Sequence, residues 1–317
     1  MKIQNHLRNQ IKSYFLNGDM SILYKISFYN SLLTVIMNYL IIVALFYLGN
    51  IILSGQFYFY PLLLIIMFLM ATRQNALNVQ VHEGSHYLLC VNQKLNDIFC
   101  NFSSSYLIFY SVEEYRSVHM LHHRFLNTTQ DPDLYLYQRN FNLRQILKGF
   151  FEDAIGLSAW RRAIASNKNI KFSYTFWKIF INTIILCLLV ISFNVLNGIM
   201  LYILLWLIPL FCIFPMIIRV RINAEHADVL PSNKKLEMPF ISRTSIGGFL
   251  ERFLFGAQME FHFEHHIFPS IPYSKLNTLH KILKENDFFK DENSNYLNES
   301  YISFWKKSIN NKNSIQC

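Results

Sequence analysis

The chain has 317 residues, 52% hydrophobic and only 15% charged, with a mean hydropathy of +0.21 and a formal net charge of +9. Soluble domains carry about 25% charged residues, and 29 Phe, 18 Tyr and 4 Trp are more apolar surface than a water-soluble fold of this size can hide. Composition therefore argues against a soluble domain, and the cysteines (Cys90, Cys100, Cys187, Cys212, Cys317) form no CxxC pair, which argues against a disulfide framework.

Residues 1–30 form a polar and basic leader (Lys2, Arg8, Lys12, Lys25) in which Tyr14, Phe15, Leu16, Ile22, Leu23 and Tyr24 make an amphipathic pattern. It is expected to lie on the membrane surface, and no signal-peptide cleavage pattern follows it. No Asp, Glu, Lys or Arg occurs in the 47 residues between Lys25 and Arg73, nor in the 40 between Lys178 and Arg219. A spanning helix needs about 20 apolar residues, so each gap holds two. The spans are expected at 31–53, 57–76, 175–195 and 199–220, with turns at Gly49-Asn50 to Gly55-Gln56 and at Asn194 to Gly198. Pro209 and Pro215 should kink the last span or free carbonyls for a neighbour. The segment 97–112 is apolar but short, and reads as re-entrant or interfacial. Residues 285–317, rich in Asn, Lys and Ser, read as a solvated, partly disordered polar tail.

The expected fold is thus an all-α integral membrane protein with four transmembrane helices in two hairpins. A membrane domain over 31–284 follows the leader and precedes the tail. Neither outer turn contains Lys or Arg, so the positive-inside rule places both termini and both large polar segments in the cytoplasm. The net charge of +9 suits anionic lipid or an acidic protein partner, and equally an ordinary positive-inside bias. No nucleic-acid partner is expected.

Nine of the eleven histidines fall into four clusters. His82 and His86 have HxxxH spacing. His119, His122 and His123 form HxxHH, as do His262, His265 and His266. His226 ends the run Arg221-Ile222-Asn223-Ala224-Glu225-His226. On a helix, positions i, i+3 and i+4 share a face, so each box aims its imidazoles at one point. Imidazole binds iron, zinc, copper or nickel, and nine ligands suit a pair of ions better than one. By residue type alone a lone histidine such as His226 is more often a satisfied polar residue than a ligand. His6 and His280 stand outside the clusters.

HEGSH at 82–86, HMLHH at 119–123 and HFEHH at 262–266, with hydrophobic spans between them, resemble the three histidine boxes of the membrane fatty acid desaturase superfamily. The runs Asn127 to Leu134 and Ile267 to Leu276 are similar to the family's usual continuations, and RxxxEH at 221–226 is similar to an extra histidine site in part of it. The likeness covers roughly 30–282. It implies four transmembrane helices under a helical cytosolic cap that carries the metal site. It also implies two Fe ions held by His82, His86, His119, His122, His123, His226, His262, His265 and His266. With O2 as co-substrate, such a centre would desaturate a long-chain acyl substrate.

Where many members have Asn, two positions before the third box, this chain has Glu260, which could orient an imidazole, act as a ligand or face solvent. The third box begins with His262, not Gln, and no haem-binding HPGG occurs. Electrons are therefore expected from a separate ferredoxin or cytochrome b5-like donor. Glu83, Glu225 and Glu264 either orient imidazoles or solvate an outer face and pair with a residue such as Arg221. Asp131 and Asp133 flank Pro132 in a turn, with an indirect bond to a box histidine as the alternative. Two rival readings stand. One is a hydroxylase or ketolase of the same superfamily, acting on an alkane, carotenoid, sphingoid base or specialised metabolite. The other is a non-enzymatic zinc-binding membrane receptor or transporter; against it, zinc needs only three or four ligands.

Overall fold

The computed structural model describes residues 2–15, 20–55, 60–137, 143–166, 172–227, 242–256 and 259–313. They are mostly helical and divide into two compact units, one made of 27–118 and 147–218, the other of 1–26, 119–146 and 219–317.

The first of these units holds the long apolar helices. In chain order from the N-terminus, α1 covers Lys2–Ser13, α2 Phe28–Ser54, α3 Tyr60–Ser85, α4 Gln93–Cys100, α5 Val112–Phe125, α6 Leu143–Ala154, α7 Leu157–Ser166, α8 Phe172–Phe193 and α9 Val195–His226. Helices α2, α3, α8 and α9 have 27, 26, 22 and 32 residues, and each is long enough to cross a bilayer. Among the described residues these four meet both length and hydropathy requirements. Helix α2 packs against α3 and α8 against α9. The apolar stretches of α2 and α8 are only 33% and 17% buried. Leu40, Tyr47, Ile51, Leu188 and Ile191 are left facing outward, as lipid contact requires.

Their ends differ from the charge-gap expectation. Gly49 and Asn50 stay helical, and α2 ends only at Gly55, whose N–H returns to the Ile52 carbonyl. Helix α3 runs past 76 through the first histidine box. Its later residues are polar but buried, including Thr72, Gln74 and Asn75, and their groups are bonded inside the protein. Gln74 Nε2 donates to the Trp206 carbonyl at 2.8 Å, and Asn38 Nδ2 donates to the Arg73 carbonyl at 3.2 Å. The second break sits at Asn194 alone (φ 115°), whose side chain accepts from the Asn197 N–H and starts α9. Gly198 is already helical, and a β-carbon there would fall 2.6 Å from the Val190 backbone. The glycine thus permits the close approach of α8 and α9. Around Pro209, α9 relaxes into π-helical turns at Tyr202–Leu207 and Pro209–Ile213. The Trp206 carbonyl that Gln74 uses lies in the first of them. The 97–112 segment forms short helical pieces, the end of α4 with the turns Asn101–Ser105 and Tyr106–Ile108.

The second unit takes in both terminal segments. Helix α1 buries Leu7 and Ile11, and Arg8 Nε donates to the Ile267 carbonyl at 2.6 Å. Of the leader's apolar pattern Leu23 is buried as well, Tyr14 and Phe15 are half-buried, and Ile22 and Tyr24 are exposed; Leu16 lies outside the described residues. The polar tail is also folded. After α10 (His262–Ile267) and α11 (Tyr273–Glu285), strand β2 (Leu297–Asn298) pairs parallel with β1 (Thr244–Ser245), and α12 covers Tyr301–Asn313. Phe288, Tyr301 and Phe304 are buried. A few large apolar anchors outweigh the polar average of this stretch, which is why composition suggested a solvated tail. Residues 314–317, Cys317 among them, lie outside the described set. Among the described residues Cys90, Cys100, Cys187 and Cys212 are free thiols.

Candidate metal centre

Seven of the nine box histidines lie in the second unit. His119, His122 and His123 project from α5 at the i, i+3, i+4 positions that put them on one face. His262, His265 and His266 do the same from α10, and His226 ends α9. Their ring nitrogens converge. His226 Nε2 lies 2.9 Å from His262 Nε2, which lies 3.1 Å from His266 Nε2. His123 Nε2 lies 3.0 Å from His119 Nε2 and 3.2 Å from His265 Nε2. Two ligand groups result: His122, His226 and His266 hold their ligand atoms within 4.8 Å of one another, and so do His119, His123 and His265. Nitrogens bound at about 2.1 Å to one ion sit roughly 3 Å apart along a coordination edge, so these spacings fit metal cages. His82 and His86 belong to the first unit, at and just after the end of α3, with ring centroids 5.1 Å apart.

Three of the imidazoles are held towards the neutral form that a metal ligand needs. Burial, reinforced by neighbouring imidazoles, holds His262 and His266 well below the usual histidine value. Burial and the Arg116 charge lower His86 to about 3. His122 differs. Burial opposes its charge, but the bond to Asp131 and the fields of Asp133 and Asp131 prevail and raise it. His122 Nδ1 donates to Asp131 Oδ1 at 2.9 Å, which leaves Nε2 its lone pair. Asp131, lowered despite burial by that bond and by Tyr137, also accepts from the Tyr137 hydroxyl at 2.5 Å and the Asp133 N–H at 2.9 Å. The aspartate is thus more than a turn residue.

The glutamates separate. Glu264, fully buried, accepts from the Thr244 hydroxyl and from His280 Nδ1, the latter at 2.5 Å. His280, set apart in the sequence reading, therefore braces the third box. Glu260 is buried and accepts from Arg252 Nε at 3.0 Å, so it does not face solvent. Glu225 lies 3.2 Å from Arg221 Nε and 3.5 Å from His262 Nε2. Glu83 is buried, and His6 is exposed. Thr244, His280, Tyr137 and Arg252 carry no motif of their own; the sequence signal for them is only that each faces a carboxylate near a box.

A pH effect follows for metal-stripped protein. For His86, His262 and His266 the folded values lie below the ordinary 6.5, so the unfolded chain takes up protons that the folded chain refuses. Stability should fall as pH drops from about 7 to about 5. His122, raised, works in the opposite direction and offsets part of it. Thermal melts of chelator-treated protein across that range should show a declining midpoint towards acid.

The fatty acid desaturase model matches residues 59–297, which include all four histidine clusters. The chain belongs to the fatty acid desaturase family. Family membership makes it an oxidoreductase, and with four apolar helices a membrane protein. The chain is also similar to dihydrorhizobitoxine desaturase of Bradyrhizobium elkanii, 27% identical over 256 residues that cover 72% of this chain and 68% of that protein. No solved structure matches this chain significantly.

Proposed function

We propose that this family member catalyses O2-dependent desaturation of a long-chain acyl substrate, with the nine box histidines holding two irons. The observation that carries the reading is the convergence of six imidazoles, five buried and His123 half-buried, at metal-edge spacing in a desaturase-family chain. Bound there, iron supplies the oxidising power to remove hydrogen from unactivated C–H bonds. The reaction balances when one O2, two electrons and two protons accompany two hydrogens from adjacent carbons, giving an alkene and two waters. The chain's own part is to bury the imidazoles and fix their orientation: Asp131 fixes the tautomer of His122 by accepting from its Nδ1, while Glu264, held by Thr244 and His280, fixes the backbone that carries the third box.

The helices form two transmembrane hairpins, with both termini and a cytosolic cap carrying the metal site on the cytoplasmic face. What supports this is the restriction of Lys and Arg to the leader and the two large polar segments. Electrons come from a separate ferredoxin or cytochrome b5-like donor, and the net charge of +9 favours an acidic one. A second reading, that the substrate is a specialised metabolite, is favoured by the relative's name.

The test is expression in a host without unusual lipids, with mass spectrometry of total lipids and polar metabolites beside a His122→Ala control. A product two mass units lighter than its precursor, absent from the control, is expected. A gain of sixteen mass units would point to a hydroxylase instead, and one zinc per purified chain would sink the oxygenase reading.

A further inference from the structure

Glu225 has a place that the histidine reading does not use. It precedes His226 on the last turn of α9 and is 1% exposed. Its Oε2 lies 3.5 Å from His262 Nε2, and its ligand oxygen falls within 4.8 Å of the ligand nitrogens of both His226 and His262. Arg221 Nε sits 3.2 Å from the other oxygen, Oε1, and the buried Tyr301 hydroxyl is beside the carboxylate. Among the described residues neither oxygen accepts a hydrogen bond of normal geometry. Its setting contrasts with that of Glu264, whose carboxylate is taken up by Thr244 and His280.

A sealed carboxylate costs several kcal/mol unless it is paired and hydrogen-bonded. Arg221 supplies one counter-charge on the Oε1 side. Oε2 faces the ring nitrogens of His226 and His262 instead, and needs a counter-charge of its own there. A cation among those nitrogens would supply it, and carboxylate oxygen is a normal ligand for iron beside imidazole.

We propose that Glu225 is an oxygen ligand of the ion held by His226 and His262, so that this half of the centre has a mixed carboxylate and imidazole sphere. The inference rests on the di-iron reading above. Arg221 then has a positioning role, holding Oε1 so that Oε2 is presented to the ion. One anionic ligand also makes the two halves of the centre unequal, since the group of His119, His123 and His265 has no carboxylate among its described members.

The test loads purified full-length protein with 57Fe(II) and reads iron per chain and the Mössbauer spectrum for wild type, Glu225→Gln and the pair Arg221→Gln/Glu225→Gln. The double variant removes both halves of a buried ion pair, so no uncompensated charge remains to unfold it. Glu225→Gln should lose half the bound iron, or hold the second iron at least about tenfold more weakly, with one quadrupole doublet altered. The double variant should behave the same way. Wild-type iron content and spectrum in either variant would overturn the proposal and leave Glu225 as the counter-ion of Arg221. A wild-type protein that binds no iron overturns the di-iron reading itself, and this inference with it.

Discussion

Asp131→Asn is expected to lower iron affinity or turnover by about ten- to a hundredfold. The carboxylate accepts from His122 Nδ1 through Oδ1, and from the Tyr137 hydroxyl and the Asn127 N–H (3.3 Å) through Oδ2. Asparagine keeps the shape but turns one acceptor atom into a donor. If the new NH2 faces His122, two donors meet and the imidazole must move its proton to Nε2, the atom that should bind metal. If it faces the other way, the Asn127 N–H loses one of its two acceptors, keeping the Tyr137 hydroxyl at 3.2 Å, and that hydroxyl must turn its own proton away from position 131. A buried donor left without an acceptor costs about 1–3 kcal/mol, so both outcomes loosen the second box. Tyr137→Phe should do far less, because Asp131 keeps its bonds to His122, Asn127 and the Asp133 N–H. Iron titration against a chelator, read beside product formation, separates the two variants. Full iron affinity in Asp131→Asn would show that His122 needs no anchor.

The contrast between His122 and its anchor illustrates what the sequence could convey. The boxes were legible because helix geometry turns a spacing of three and four residues into one face, and α5 and α10 are indeed helices there. The charge-free gaps likewise counted four long apolar helices. Their ends were not legible, because the stop of α3 depends on whether Thr72, Gln74 and Asn75 meet water or protein. They meet protein, so the helix carries on to Ser85 and brings the first box with it. Bracing residues were hidden for another reason. Thr244 and His280 reach Glu264 from 20 residues before and 16 after, distances at which no local period operates. The tail was misread because composition averages over a stretch whose packing depends on Phe288, Tyr301 and Phe304.

Arg116→Ala is expected to destabilise the first unit by about 2–3 kcal/mol and to reduce activity by disordering the end of α3. That helix ends in a left-handed residue, but the residue is Tyr87 (φ 61°), not the glycine that usually takes this place. The Leu88 N–H reaches back to the Glu83 carbonyl and the Tyr87 N–H to Gly84, each at 3.1 Å. Arg116 secures this strained cap. Its Nη2 donates to the Gly84 carbonyl at 2.9 Å and its Nε to the Ser85 carbonyl at 2.8 Å. The guanidinium stacks 3.8 Å from the Tyr87 ring centroid and pairs with Asp97 at 2.5 Å. A positive charge at the C-terminal end of a helix is also favourable in itself. With both side chains partly exposed, at 15% and 22%, the Asp97 pair alone contributes little; the two carbonyl bonds account for most of the expected loss. Lysine at 116 should recover only part of it, because a single ammonium on a flexible stem cannot reproduce the fork that reaches two carbonyls and Asp97 together. Thermal melts in detergent should rank wild type above Arg116→Lys and that above Arg116→Ala, with activity in the same order. Equal melting points for wild type and the lysine variant would mean that the fork counts for nothing here, and that charge and stem suffice to hold the cap.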